Sequence, residues 1–537
     1  MGRKICRTIL VWGLALCLIV LISPYGATRT AKSLTTSLNT LFVFGNQPPS
    51  EEWNKTFGGS DEDIGYAVQQ TGDGGYIITG YTASYGAGKF DVWLIKMDSK
   101  GNEEWNRSFG GSNIDVGTDV QQTDDGGYII TGVTVSEGYD MLLLKTDANG
   151  NKVWMKTLKG GAGHDAGLAV RQVDDGGYVV TGYTFTTERS YDVWLVKLDG
   201  NGNMEWDKKI GGCCSDAGEC IQLTDDGGYI IVGITESYGC GHYDIWLIKV
   251  DSEGNEEWNK TFGGSGDDFG FSIQQTSDGG YIIAGCTESY GSGNSDIWLI
   301  KTDSNGNEEW NKTFGGRDVE RGYAVLETID GGYIIAGDTE SYGSGNSDIW
   351  LIKTDSNGNE EWNKTFGGSH YEKIGYHNAI QRTADGGYII IGCTSSYGAG
   401  NYDAWVIKVV PANRPPSTPN IPQGETNVTP LKKYTYTTVS ADPDGDEIYY
   451  MFDWGDGTTS GWLGPYKSGE TVKVSHIWTK SGVYEIKVKA KDSKDAESEW
   501  SEPLQITVQS TLLEKIYNML PEFLRNIILR ILDILSS

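Results

Sequence analysis

The chain has 537 residues and a formal net charge of −30, with 75 glycines, 13 prolines and 11% aromatic residues. So many rings exclude a disordered chain, and the glycines follow no three-residue period, which excludes collagen. The acidity opposes contact with nucleic-acid phosphates and favours solubility, cations or basic partners.

Arg3, Lys4 and Arg7 precede an uncharged run from Ile9 to Ile22. That run is shorter than the ~20 residues of a membrane span and fits the core of a secretory signal. Ser23-Pro24-Tyr25-Gly26 then breaks the helix, and Ala27 supplies a small residue for cleavage. Residues 1–27 therefore read as a signal peptide or signal anchor, which puts the chain at the cell surface or outside the cell. Leu16 before Cys17 is too bulky for a lipoprotein signal. Residues 28–50 read as a linker.

From residue 51 the chain repeats itself. Trp53, Trp105, Trp154, Trp206, Trp258, Trp310 and Trp362 follow one another at intervals of 52 residues, with one of 49. A Gly-Gly-Tyr triplet keeps step, from Tyr76 to Tyr388. In the unit Phe269–Phe314, the runs Ser272–Gln275, Tyr281–Gly285, Asp296–Lys301 and Glu309–Phe314 are β-branched or aromatic. Asp278-Gly279 and Asn305-Gly306 supply the positive φ of tight turns between them. Four linked strands every ~50 residues describe a propeller blade, and such sheets must stack to cover their apolar faces. The seventh unit stops at Val406–Val410, and the array opens with a lone Glu51–Phe57 strand. The expectation is an all-β chain: a seven-bladed β-propeller over 51–410, the N-terminal strand closing the last blade.

The runs Gly279-Gly280-Tyr281-Ile282-Ile283-Ala284-Gly285 and Asp296-Ile297-Trp298-Leu299-Ile300-Lys301, with Thr302-Asp303-Ser304-Asn305-Gly306-Asn307 after them, carry a resemblance. They resemble tandem propeller repeats of archaeal and bacterial secreted surface proteins, which implies fold and location but no reaction.

Residues 411–426 contain five prolines and read as an extended linker. Residues 427–509 alternate like a small sandwich. Asp442-Pro443-Asp444-Gly445-Asp446, Asp453-Trp454-Gly455-Asp456-Gly457-Thr458 and Ser475-His476-Ile477-Trp478 closely resemble the polycystic-kidney-disease (PKD) domain. That resemblance implies an immunoglobulin-like spacer or adhesion module of extracellular proteins. Residues 511–537 place Leu513, Ile516, Leu520, Leu524, Ile527 and Ile531 at helical spacing, with charges between and Pro521 splitting the run. The charges argue against a membrane span; a membrane surface or a partner helix suits this amphipathic tail.

Several residues are candidates for chemistry. In this strand order the long Tyr/Ser/Gly/Asn loops share one rim, with Tyr85, Tyr238, Tyr290, Tyr342 and Tyr397 at equivalent positions. Tyrosine offers rigid amphipathic area, so these and His370, in a seventh unit that is three residues longer, form a candidate binding rim for glycans or proteins. Asp442, Asp444 and Asp446 surround one turn and are candidate calcium ligands; no other cofactor is expected. Cys213, Cys214 and Cys240 fall in two loops of one rim, so a disulfide from Cys240 to one of the pair is expected after export. Asn54, Asn106, Asn259, Asn311, Asn363 and Asn427 begin Asn-x-Ser/Thr and are candidate glycosylation sites. No nucleophile elbow, His-Glu-x-x-His or phosphate loop occurs.

The expected function is thus a non-catalytic exported surface protein that binds extracellular polysaccharide or cell-envelope proteins, not nucleic acid. The alternative is a secreted polysaccharide hydrolase or lyase with the PKD-like module as accessory.

Overall fold

The computed structural model describes residues 48–535, except 136–137, 162, 187–189 and 377. The signal segment 1–27 and most of the 28–50 linker lie outside the described residues, as do Cys6, Cys17 and His377.

Each repeat becomes one antiparallel sheet with its strands in sequence order. In the fifth, the strands are Asp268–Gln275, Tyr281–Thr287, Asp296–Thr302 and Glu308–Phe314, close to the runs read from sequence. The two middle strands are buried along their whole length, whereas the fourth is only partly buried. The reason lies in the packing. Ile282, Ala284, Ile297 and Leu299 on one face meet Val325, Ile335 and Ile352 of the sixth sheet. Ile283 and Ile300 on the other face meet Ile230, Val232 and Ile245 of the fourth. Each such side chain contributes roughly 1.5–3 kcal/mol on burial, and one sheet alone would leave both faces wet.

The tryptophan period follows from an interlock between sheets. Gly306, in the last turn of the fifth sheet, has φ 74°, and a Cβ there would stand 2.4 Å from the ring of Trp258 on the fourth sheet. The same fit joins Gly101 to Trp53, Gly150 to Trp105, Gly202 to Trp154, Gly254 to Trp206 and Gly358 to Trp310. The Gly-Gly-Tyr tyrosine of each following sheet packs on the same ring, as Trp258 and Tyr281 do at 6.1 Å. Trp and Gly-Gly-Tyr keep step because they touch.

A buried lysine fastens the turns within each sheet. Lys301, on the third strand, reaches Asp278 at 2.9 Å and Glu309 at 3.1 Å. Lys96, Lys197, Lys249 and Lys353 make the same pair of contacts. The Thr224 hydroxyl, with Lys249 and the Gly228 amide, pulls the Asp226 carboxyl down to about 2. Burial opposes the same shift at Asp73, Asp125 and Asp278, but the turn threonine and the lysine outweigh it, again to about 2.

The seventh sheet differs. Its order is Ser50–Phe57, Asp403–Val410, Tyr388–Thr394, then a first strand broken into Glu372–Ile374 and Ile380–Arg382. The N-terminal strand thus supplies the missing fourth position, with Asn54 opposite Ile407 and Phe57 opposite Ala404. This sheet also touches the first. The Asp63 amide donates to the Tyr402 carbonyl at 2.8 Å and the Val68 amide to the Asn378 carbonyl at 3.1 Å. The Ala384 amide donates to Gln70 Oε1 at 2.8 Å, and the Gln70 amide to Gln381 Oε1.

The C-terminal module has a five-stranded sheet and a two-stranded one, Lys433–Thr438 with Val472–Ile477. Their core holds Trp454, Trp478, Tyr436, Tyr450 and Phe452. His476 lies flat on Trp454 at 4.6 Å and meets Asp456 at 2.8 Å. Part of the segment read as a linker is fastened here, with the Ser417 amide donating to the Ala441 carbonyl and the Gln423 amide to that of Thr437. The tail forms two helices, Leu512–Met519 and Glu522–Leu535, split at Pro521 as its missing N–H dictates.

Candidate functional site

The five tyrosines occupy one repeated geometry. Each backbone amide donates to the hydroxyl of a threonine three residues earlier, as Tyr290 does to Thr287 at 3.1 Å. Each phenol donates to a glycine carbonyl: Tyr85 to Gly58, Tyr238 to Gly211, Tyr290 to Gly263, Tyr342 to Gly315 and Tyr397 to Gly367. Each ring also packs on a tryptophan, as Tyr342 does on Trp350 at 5.1 Å. Held at three points, these rings remain 45–48% exposed. Beside Tyr290, a groove of about 400 Å³ is lined by Trp298, Glu308, Asn311, Thr313 and Thr261. A half-exposed aromatic ring next to carboxylate and hydroxyl groups can pack against a ligand and hydrogen-bond around it. His370 is exposed on the loop entering the seventh sheet, where its carbonyl accepts from the Asn346 amide at 2.7 Å.

The asparagines of the outer strand are bound at both ends. Asn311 Nδ2 donates to Glu308 at 2.6 Å, and its Oδ1 accepts from Trp298 Nε1 at 3.2 Å. Asn54, Asn259 and Asn363 repeat both contacts, and Asn106 donates to Glu103. Their amides thus brace the strand that carries the sequon. Asn427 is exposed at the start of the C-terminal module.

Of the three rim cysteines, Cys213 and Cys240 are exposed and Cys214 is half-buried. Cys213 and Cys214 sulfurs lie 3.2 Å apart. Backbone contacts pin both loops: the Cys240 amide donates to Asp244 at 2.8 Å and the Cys214 amide to Ser237 at 3.0 Å. Cys286 and Cys393 are buried, and burial pushes their thiols up to about 11 and about 12.

Asp442, Asp444 and Asp446 bring ligand oxygens within 4.8 Å of one another. Asp442 Oδ1 accepts from the Asp444 and Asp446 amides at 2.8 and 3.0 Å. Arg414 grips Asp444 through its Nε at 2.8 Å, and Lys494 stands 3.0 Å from Asp446. Asp442 Oδ2 and Asn413 Oδ1 are buried without a hydrogen-bond partner. Burial first, then the neighbouring carboxylates, pushes Asp442 upward. A hard cation would find its oxygens in Asp442, Asp444 and Asp446, in competition with Arg414 and Lys494.

The sequence reading passed over an inner cavity of about 200 Å³, lined by Gln69, Gln121, Arg171, Gln222, Asn378 and Gln381. At its wall, buried Asp119 accepts from Arg171 at 2.7 Å, the Val170 amide at 2.9 Å and Asn378 Nδ2 at 2.7 Å. These residues belong to the second, third and seventh repeats. The available signal was departure from the repeat: Asp119 and Arg171 stand where the fifth unit has Ser272 and Gln274.

Comparison with known proteins identifies one part of the chain. Residues 414–508 match the PKD domain family model. They are 47% identical to the PKD domain of an M14-like peptidase from Thermoplasmatales archaeon SCGC AB-540-F20. That match covers 18% of this chain and 100% of the other, with a TM-score of 0.18. The C-terminal module is a PKD domain. A bifunctional GH43-CE protein of Bacteroides eggerthii aligns over 87% of this chain and 60% of its own at 11% identity, TM-score 0.30. Domains A168–A170 of titin align over 50% and 93% at 14% identity, TM-score 0.17. No curated protein sequence matches the chain.

The PKD domain also receives the tail. Thr511 caps the first helix by accepting from the Glu514 amide at 3.2 Å, and Glu514 accepts from the Ser481 amide at 2.6 Å. Tyr517 is buried, whereas Phe523, Ile527 and Ile531 of the second helix are exposed. Among the described residues no helix is long and apolar enough to cross a membrane.

Proposed function

We propose that the seven sheets are the blades of a closed β-propeller, and that the chain is an exported, non-catalytic surface protein. In this reading the propeller binds extracellular polysaccharide or envelope proteins through its tyrosine rim. The PKD domain is a spacer stiffened by calcium, and the second tail helix attaches the molecule to a membrane surface or partner helix. Closure is supported by the hydrogen bonds from the first sheet to the seventh and by the reach of Arg171 to Asn378 at 3.2 Å.

The observation that carries the binding reading is the repeated tyrosine, fixed by two hydrogen bonds and a tryptophan yet nearly half exposed. A ring already immobilised loses little conformational entropy on contact, and several copies on one rim multiply a weak contact by avidity. Blade repetition favours such display over a single asymmetric active site.

The test is retention of the purified chain on polysaccharides and envelope fractions, with and without chelator. Saturable retention that falls about tenfold or more in Tyr290→Ala/Tyr342→Ala supports the rim. Unchanged retention in that variant, or consumption of the polysaccharide, overturns it.

A further inference from the structure

The inner cavity of about 200 Å³ is built from one position of the repeat. Gln69, Gln121, Arg171, Gln222, Leu326 and Gln381 each stand seven residues before the tyrosine of a Gly-Gly-Tyr triplet, and all six line it. Gln274 holds the same position in the fifth sheet. Four of these glutamines are turned the same way. The Gln172 amide donates to Gln121 Oε1 at 2.6 Å and the Glu327 amide to Gln274 Oε1 at 2.5 Å. The Gln122 amide donates to Gln69 Oε1, and the Gln70 amide to Gln381 Oε1. A backbone N–H can only donate, so the atom facing it is the side-chain oxygen. The oxygen is thus spent on the adjacent sheet, and the Nε2 donors stay on the other branch of the amide.

The next residue along the strand uses its amide differently. Gln70 and Gln122 accept through Oε1 from the Ala384 and Gly72 amides, both at 2.8 Å. Their Nε2 groups turn back to the Gly74 and Gly126 carbonyls at 3.4 and 3.5 Å. Among the described residues, no group accepts in this way from Nε2 of Gln69, Gln121 or Gln381. Arg171 adds a guanidinium, with Nη1 on Asp119 at 2.7 Å and Nη2 on Asn378 Oδ1 at 3.2 Å. Asp119 offsets its charge, so the wall attracts through oriented N–H groups rather than through net charge.

We propose that this cavity is a binding site for a small oxyanion, held by the Nε2 groups of Gln69, Gln121 and Gln381 beside Arg171. A wall of donors whose oxygens are already bonded suits a ligand that carries only lone pairs. A water accepting there must aim its own hydrogens at spent oxygens, whereas an oxyanion has none to place. Hydrogen bonds from N–H to an anionic oxygen are also about twice as strong as neutral ones. The site is separate from the tyrosine rim, and it rests on the sheets enclosing one channel.

The experiment is calorimetric titration of the full chain with sulfate, phosphate and acetate, at constant ionic strength set by sodium chloride. Saturable binding of sulfate or phosphate points to an inorganic ion as the natural ligand, and of acetate alone to an organic carboxylate. Either supports the proposal, provided Gln121→Glu lowers the affinity about tenfold or more. That substitution keeps an oxygen for the Gln172 amide and replaces only the inward donor. A carboxylate serves a neighbouring clasp already, since Glu327 Oε2 accepts from the Ser277 amide at 2.9 Å. Gln275→Glu copies that clasp, its Oε1 holding the Asp225 amide at 3.1 Å, and adds the same charge without touching the inward ring. With salt screening the charge, its affinity should stay within about twofold. No saturation by any of the three anions, full affinity in Gln121→Glu, or an equal loss in Gln275→Glu overturns the site. Closure is read separately from an intramolecular Glu62→Cys/Tyr402→Cys disulfide across the Glu62–Tyr402 bridge. A chain that forms that bond and binds no oxyanion refutes the site and leaves the ring standing.

Discussion

Gly306 and Gly279 allow the interlock between sheets to be measured. Both have positive φ, 74° and 85°. A Cβ at Gly306 would lie 2.4 Å from one carbon of the Trp258 ring and 2.8 Å from another, whereas at Gly279 nothing lies within 4 Å. Alanine therefore costs about 1–2 kcal/mol at either position for its left-handed backbone. At position 306 the overpacking of a ring with little room to retreat adds about 1–3 kcal/mol. Urea unfolding of Gly306→Ala and Gly279→Ala, followed by tryptophan fluorescence, should separate the two variants by that second amount. Repeating the pair in Trp258→Ala completes a double-mutant cycle, and there the excess should vanish. Equal destabilisation by the two alanines would refute the interlock as the cause of the tryptophan period.

Three further outcomes are expected. The turn carboxylates Asp73, Asp125, Asp226 and Asp278 are held to about 2 in the folded chain, so the unfolded chain binds more protons below about pH 4. Their contribution is present above pH 4 and lost as pH falls toward 2, which an acid-unfolding series followed by circular dichroism will read. Lys301→Met should cost about 1–2 kcal/mol at neutral pH, below the usual cost of breaking a buried pair, because Asp278 and Glu309 are half exposed and can rehydrate. Calcium at about 100 times its dissociation constant should stabilise the PKD domain by about 2.7 kcal/mol, and Asp442→Asn should abolish that response; calorimetry with and without chelator checks it.

Much of the strand order was legible because the repeat is local chemistry copied many times. Asp278-Gly279 and Asn305-Gly306 each announce a turn, and the β-branched runs between them leave little choice of secondary structure. The split tail was legible from Pro521 alone. Contacts between repeats were not, since nothing in one unit states which neighbour its tryptophan meets. The expected role of the sequon asparagines gave no hint that Trp298 and Glu308 already hold the Asn311 amide. That Asp244 and Ser237 fix the two cysteine-bearing loops was likewise not legible. Asp119 and Arg171 lay in plain view as departures from the repeat, but their shared surroundings depend on how separate sheets assemble.

Ring closure is tested most directly by cross-linking the first sheet to the seventh. Glu62 and Tyr402 form an isolated bridge between them, equivalent to that of Ser295 with Val319 between the fifth and sixth sheets. In a chain with Cys213, Cys214 and Cys240 changed to serine, the pairs Glu62→Cys/Tyr402→Cys and Ser295→Cys/Val319→Cys would be oxidised and read by non-reducing electrophoresis and peptide mapping. A closed propeller predicts intramolecular disulfides of similar yield in both. An open array predicts the bond at 295–319 and none within one chain at 62–402, and that result would contradict the account.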